Sequence, residues 1–349
     1  MPNPRPPEHP ADARLDELRD WLEPLAGRYG LELASMRPAS NDASFRRYFR
    51  FDCAHPDQPS VVVMDAPPPM EDCGPFVHAA DVFLQAGVSV PKVLERDLAR
   101  GFLMLSDFGA RMYLDELNPQ TATVLYGDAA RALIRLQTAS RPGVFAPYDR
   151  ALLLRELMLY PDWYVSRHKG VTLSPAQQAQ LQSAFETLLD NNLAQAPVFV
   201  HRDYHSRNLM VLPGDANPGM LDFQDAVYGP ITYDLVSLLR DAYVRWDEQQ
   251  VIDWAVRYWE AARVAGLPMP ADFSDFYRDF EWMGLQRHLK VLGIFARLYH
   301  RDGKDRYLND LPLVLDYVVK AASRYRAFGP LVALIEKIEG QPRQAGYTF

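Results

Sequence analysis

Asp203, Asn208 and Asp222 lie in the stretch VFVHRDYHSRNLMVLPGDANPGMLD, residues 198–222. An aspartate, an amide five positions on and a second aspartate after a turn suit phosphoryl transfer. The first carboxylate, Asp203, can orient an attacking hydroxyl and accept its proton. The amide oxygen of Asn208 and the carboxylate of Asp222 are hard oxygen ligands of the kind that hold Mg²⁺ against nucleotide phosphates. A different chemistry uses His201, Asp203 and His205. They alternate along an extended segment and could bind Zn²⁺, with Asp222 or Asp225 as a further ligand. That reading leaves Asn208 and the turn without a task.

The elements needed to position these residues follow from the same stretch. Val198-Phe199-Val200 reads as a short buried strand, His201 to Asn208 as a polar loop, and Leu209 to Leu212 as a second apolar run. Residues 213–219, PGDANPG, hold almost every good turn former before Met220-Leu221 returns. The spacing predicts a tight hairpin that brings Asp222 back beside Asp203 and Asn208.

Upstream, Leu15, Leu18, Trp21, Leu22 and Leu25 recur at helical spacing, ending near Gly27. A hairpin is expected over 36–51, with residues 40–44 at its turn and 45–51 as its second strand. Residues 60–65 are the next strand, 76–86 a helix closed by Gly87, 88–93 a lead into a further strand, and 101–105 the last strand. Downstream the pattern turns helical. Helices are expected to Thr138 after Asn118-Pro119, over 148–167 with an interruption at Pro161, and over 174–193 behind a serine cap. A loop over 223–230 then precedes a helix over 231–244, in which Asp234 reads as a brace for the neighbouring loop rather than a catalyst. Three more helices are expected over 249–265, 272–301 and 308–338. This divides the chain into a nucleotide-binding lobe, 1–106, and a catalytic and substrate-binding lobe, 107–349.

Composition narrows the partners. With 37 Lys and Arg against 45 Asp and Glu, the net charge is −8, and there is no long basic run. Nucleic acid and anionic membranes are therefore not expected partners, and no obligate protein partner is evident. Any phosphate handled here must meet locally concentrated cations or a bound metal. Two cysteines, Cys53 and Cys73, at a spacing that matches no familiar metal motif, are expected to be reduced thiols. The proline-rich residues 1–10 read as a disordered lead without an apolar signal core, and 340–349 as a loosely held polar tail. The expected location is the cytoplasm.

The pattern His201-x-Asp203-x4-Asn208 followed by Leu221-Asp222-Phe223 resembles the catalytic and metal loops of the aminoglycoside phosphotransferase branch of the protein-kinase-like fold. The resemblance implies an α+β, bilobal fold with a small antiparallel-sheet N-lobe and a mostly helical C-lobe, and ATP and Mg²⁺ as cofactors. The first lobe departs from the wider pattern, because the 40–44 loop has no glycine and Met64 stands where a third-strand lysine is usual. Backbone amides with the Ser40 and Ser44 hydroxyls could cradle phosphate instead. Arg46 or Arg47 could supply the cation, and Ser106 would sit at a hinge that reads an adenine edge.

Further blocks extend the likeness over most of 33–300. They are residues 41–50 (NDASFRRYFR), 63–68 (VMDAPP), 149–157 (DRALLLREL), 223–226 (FQDA) and 286–290 (QRHLK). They are similar to bacterial cell-wall sugar kinases, in which a strand ending M-D-A-P-P is usual. That likeness implies ATP-dependent phosphorylation of the anomeric hydroxyl of N-acetylmuramate and N-acetylglucosamine in peptidoglycan recycling. A muramate carboxylate calls for Arg or Lys, a pyranose face for an aromatic, and an acetamido group for paired donors and acceptors. Arg155, Trp163, Tyr164, Arg240, Asp241 and His288 are the candidates. Two alternatives remain open at this stage: another small alcohol as acceptor (an aminoglycoside or choline), or a pseudokinase that only binds nucleotide.

Overall fold

The computed structural model describes residues 13–40, 45–56, 58–68 and 70–340, with the Ser40 side chain excepted. The expected lead 1–10, the phosphate-cradling turn with Ser44 and the Ser40 hydroxyl, and the tail 341–349 lie outside the described residues. The chain divides into two compact units, Met1–Leu84 with Val90–Ala110, and Gln85–Ser89 with Arg111–Phe349.

In the first unit, α1 (Ala13–Tyr29) buries Leu18, Trp21 and Leu22, the stripe that its spacing predicts. It runs two residues past Gly27, and Gly30 then takes a φ of +64°. Strands β1 (Leu31–Ser40), β2 (Arg47–His55) and β3 (Gln58–Asp65) precede α2 (Gly74–Gln85), β4 (Val93–Asp97) and β5 (Phe102–Ser106). They form one antiparallel sheet in the order β1-β2-β3-β5-β4. Phe51, Val61, Val63, Phe102 and Met104 share one face and make the core against α1. Alternation places Met64 on the opposite face, fully buried and flanked by Tyr48 and Leu103. Gly101 is required where it stands. Its φ is +73°, it accepts the Ala66 N–H at 2.9 Å, and a Cβ there would lie 1.9 Å from the Ala66 oxygen.

The second unit is mostly helical. It holds α3 (Tyr113–Glu116), α4 (Ala122–Thr138), α5 (Arg150–Leu157), a π-helical segment (Tyr160–His168) and α6 (Pro175–Ala194). Pro161 opens the π-helical segment, and a Ser174–Gln177 capping box starts α6. Next come β6 (Pro197–Val200), β7 (Leu209–Met210), β8 (Gly219–Met220), β9 (Val227–Pro230), α7 (Tyr233–Leu239), α8 (Glu248–Val264), α9 (Phe273–Asp302), α10 (Leu311–Ser323) and α11 (Gly329–Glu339). The long α9 is buried along Met283–Leu292, and at Gly293 it passes so close to Leu159 that a Cβ would lie 2.3 Å from that backbone.

Three expectations need correction. Residues 223–230 are not all loop, because β9 pairs antiparallel with β6. The helix expected to Val244 ends at Leu239; Arg240 leaves helical geometry, and Asp241 turns to the 201–208 loop. The span 308–338 is two helices, because residues 324–328 break the run and Pro330 restarts it. Cys53 and Cys73 are free. No helix among the described residues is long and apolar enough to cross a membrane.

Candidate active site

The hairpin forms as its turn residues predict: β7 pairs with β8, and the Leu221 N–H donates to the Asn208 carbonyl at 2.9 Å. Asn208 donates through Nδ2 to the Asp203 carbonyl at 3.0 Å and to Asp222 Oδ2 at 3.4 Å. The Asn208 side chain therefore bridges the Asp203 main chain and the Asp222 carboxylate. Donation through Nδ2 leaves the acceptor capacity of Asn208 Oδ1 intact, so an amide oxygen and a carboxylate stand together as hard ligands. This donor set fits a divalent cation of the Mg²⁺ class. Gln224, which the sequence reading did not single out, donates to Asp222 Oδ1 at 2.6 Å.

The backbone here is held in an unusual conformation. Arg202 has φ +76° and Asp222 φ +62°, left-handed values that cost a non-glycine residue on the order of 1 kcal/mol or more. Buried Asp234 offsets that cost at Arg202. Its carboxylate accepts the His201 N–H at 2.6 Å and the Arg202 N–H at 3.0 Å. Burial pushes the Asp234 carboxyl up to about 7, although both N–H groups favour its charged form. Buried Asp241 fixes the next turn, accepting the Ser206 N–H at 2.9 Å and the Ser206 hydroxyl.

Basic side chains surround Asp203 without touching its carboxylate. Among the described residues no donor bonds its side-chain oxygens, leaving them open to an acceptor hydroxyl. Burial alone would raise this carboxyl; the charges of Lys290, His205, Arg287 and Arg202 outweigh it and hold the group below the usual carboxylate range. Glu156 organises part of this field. It accepts Arg202 Nη2 at 2.6 Å, pairs with Lys290 Nζ at 3.0 Å, and takes the Tyr148 hydroxyl. Lys290 also donates to the Tyr233 hydroxyl at 2.9 Å.

The proposed sugar contacts fare unevenly. Arg155 is exposed, whereas its neighbour Glu156 turns into the site. Tyr164 is buried, bonded to Glu339 at 2.9 Å and stacked on Tyr160, so it is core rather than a sugar platform. Trp163 is half-buried beneath the Arg167 guanidinium, 4.8 Å from its ring. Arg240 is buried in a closed network with Glu281 at 3.0 Å, Glu248 at 3.2 Å and the Tyr277 hydroxyl at 3.1 Å. His288 is buried with Nε2 2.9 Å from the Arg240 carbonyl, and burial lowers its ring to about 3. Asp241 is a loop brace.

The first-unit candidates are also engaged. Arg47 bonds Asp65 at 2.9 Å, Arg46 bonds Glu71 at 3.1 Å, and the Ser106 hydroxyl accepts the Lys92 N–H at 2.9 Å. Both arginines carry carboxylate partners here, which argues against either as the ready phosphate cation. The zinc alternative does not assemble. Among the described residues no three His, Cys, Asp or Glu side chains converge on a metal position. The buried His201 ring instead accepts the Asp203 N–H through Nδ1 at 3.3 Å.

Residues 35–271 match the model of the phosphotransferase enzyme family. The N-acetylmuramate/N-acetylglucosamine kinase of Pseudomonas aeruginosa is 48% identical over 334 residues, 94% of this chain and 97% of its own. That of Neisseria meningitidis is 46% identical over 341 residues, 96% of this chain and 99% of its own. Among solved structures, the amicoumacin kinase hAmiN in complex with AMP-PNP, Ca²⁺ and Ami has a TM-score of 0.61 at 13% identity, covering 91% of this chain and 96% of its own. A choline/ethanolamine kinase family protein from Mesorhizobium loti has a TM-score of 0.60 at 16% identity, covering 93% and 99%. The chain belongs to the phosphotransferase enzyme family and is a near full-length relative of the N-acetylmuramate/N-acetylglucosamine kinases.

Proposed function

We propose that this chain is a cytoplasmic, ATP- and Mg²⁺-dependent kinase that phosphorylates the anomeric C1 hydroxyl of N-acetylmuramate and N-acetylglucosamine in peptidoglycan recycling. The Asn208 bridge between Asp203 and Asp222 carries the chemistry. Identity of 45–48% to kinases of that name, over nearly the whole chain, carries the acceptor. Asn208 and Asp222 would hold the cation, which when bound neutralises charge on the nucleotide phosphates. Asp203, kept ionised by the surrounding cations, accepts a hydrogen bond from the anomeric hydroxyl, aligns its oxygen and takes its proton as the phosphoryl group arrives. Little more is asked of the protein, because the transition state is loose and alignment dominates. The basic field around Asp203 also favours a neutral or anionic sugar over a cationic aminoglycoside or choline. Incubation with ATP, Mg²⁺ and a panel of N-acetylated sugars, aminoglycosides and choline tests this, with the phosphate position read by NMR. A C1 phosphate on the two amino sugars is expected. Phosphate on a cationic acceptor alone would overturn the assignment.

A further inference from the structure

Arg287 is the one guanidinium around Asp203 for which no acceptor stands among the described residues. It is 4% exposed, yet Nε and Nη1 find no acceptor among the described residues. A buried guanidinium left this way is costly unless something else supplies an acceptor. Its polar neighbours on α9 each hold at least one partner, although Gln286 Oε1 and His288 Nδ1 also lack one among the described residues. Gln286 donates to Glu156 at 3.5 Å, His288 meets the Arg240 carbonyl, and Lys290 pairs with Glu156 and Tyr233. Those contacts run α9 alongside the catalytic loop, through Glu156 to Arg202 and through residues 240 and 241 to Ser206. Two more features of the loop point the same way. His205 Nδ1 is buried without a partner among the described residues, and the Arg207 guanidinium sits 3.6 Å over the Tyr243 ring.

We propose that Arg287 is the specificity-determining residue that takes the carboxylate of an acidic amino sugar, the lactyl group of N-acetylmuramate, while Asp203 takes the anomeric hydroxyl. This rests on the sugar-kinase reading and adds to it the residue that tells the two acceptors apart. A guanidinium donates two parallel N–H bonds in the geometry a carboxylate requires. N-acetylglucosamine has no such carboxylate and leaves Arg287 unused.

The test compares Arg287→Gln with the unaltered enzyme on three acceptors: N-acetylmuramate, its methyl ester and N-acetylglucosamine. In Arg287→Gln, kcat/KM for N-acetylmuramate should fall by roughly a hundredfold, mainly through KM, and that for N-acetylglucosamine by less than about fivefold. Arg287→Lys should recover part of the loss. The unaltered enzyme should discriminate against the methyl ester by a similar factor, and Arg287→Gln should not. The ester comparison keeps the proposal testable even if the variant folds poorly. Equal losses on both natural sugars, no loss on either, or full activity of the unaltered enzyme on the ester would overturn the role of Arg287. Failure of the unaltered enzyme to phosphorylate either sugar would instead remove the sugar-kinase reading on which the role rests.

Discussion

Two aspartates, one in each unit, sit among basic side chains and do opposite things with them. Asp65, at the end of β3, is fully buried and gripped directly by Arg14 Nε at 2.8 Å and Arg47 Nε at 2.9 Å, so its acceptor capacity is consumed. Asp203 has four basic groups close enough to lower its proton affinity, yet among the described residues none bonds its carboxylate. The first arrangement ties α1 and β2 to the end of β3, the central strand of the sheet. The second holds a charge ready for a group that the protein does not itself provide. A closed ion pair contributes to stability, whereas an open one marks where a ligand completes the structure.

Substitutions sharpen the contrast. Asp222→Ala, which removes the carboxylate proposed to hold the cation, should lower kcat by roughly 10³-fold in a coupled ATP assay with little change in the fold. Asp234→Ala leaves the His201 and Arg202 N–H groups without their acceptor, so the catalytic loop shifts. Turnover should fall about a hundredfold while KM for nucleotide changes little. Asp65→Asn should behave in the reverse way. Denaturant unfolding should show about 2 kcal/mol less stability, and kcat measured well below the melting temperature should hold. An Asp65→Asn variant with intact stability and lost turnover would erase the distinction between the two sites.

The smallest expected effect concerns pH. Burial lowers His201 to about 4 and His288 to about 3, both below an ordinary value of 6.5. The unfolded chain takes up protons at these rings before the folded chain does. Their contribution is therefore fully present above about pH 6.5 and is lost as pH falls towards the folded values. Near pH 5.5 the loss should be about 1.4 kcal/mol per ring, and His288→Gln should flatten the acid slope in a melting-temperature series.

Local chemistry was legible in the sequence. The turn formers of 213–219 announce the hairpin that returns Asp222, the Ser174 cap announces the start of α6, and the 3–4 spacing of Leu18, Trp21 and Leu22 announces the face of α1. Long-range charge pairing was not. Glu156 and Lys290 are 134 positions apart, and each reads alone as a surface charge. Helix rotation misled by one residue twice. Arg155 was singled out where Glu156 faces the site, and His288 where Arg287 holds the unpartnered donors. Choosing between adjacent polar residues on a helix requires the packing of its neighbours, which periodicity alone does not encode when both flanks are buried. The pairing of β6 with β9 was hidden for a related reason, since residues 227–230 are too short and too rich in turn formers to read as a strand.

The most direct measurement is single-turnover phosphoryl transfer by Asp203→Asn, alongside nucleotide binding by calorimetry. The amide keeps the shape and removes the charge, so the transfer rate should drop by roughly 10³-fold or more with nucleotide affinity within about threefold of the unaltered enzyme. Near-native transfer by Asp203→Asn would contradict the account.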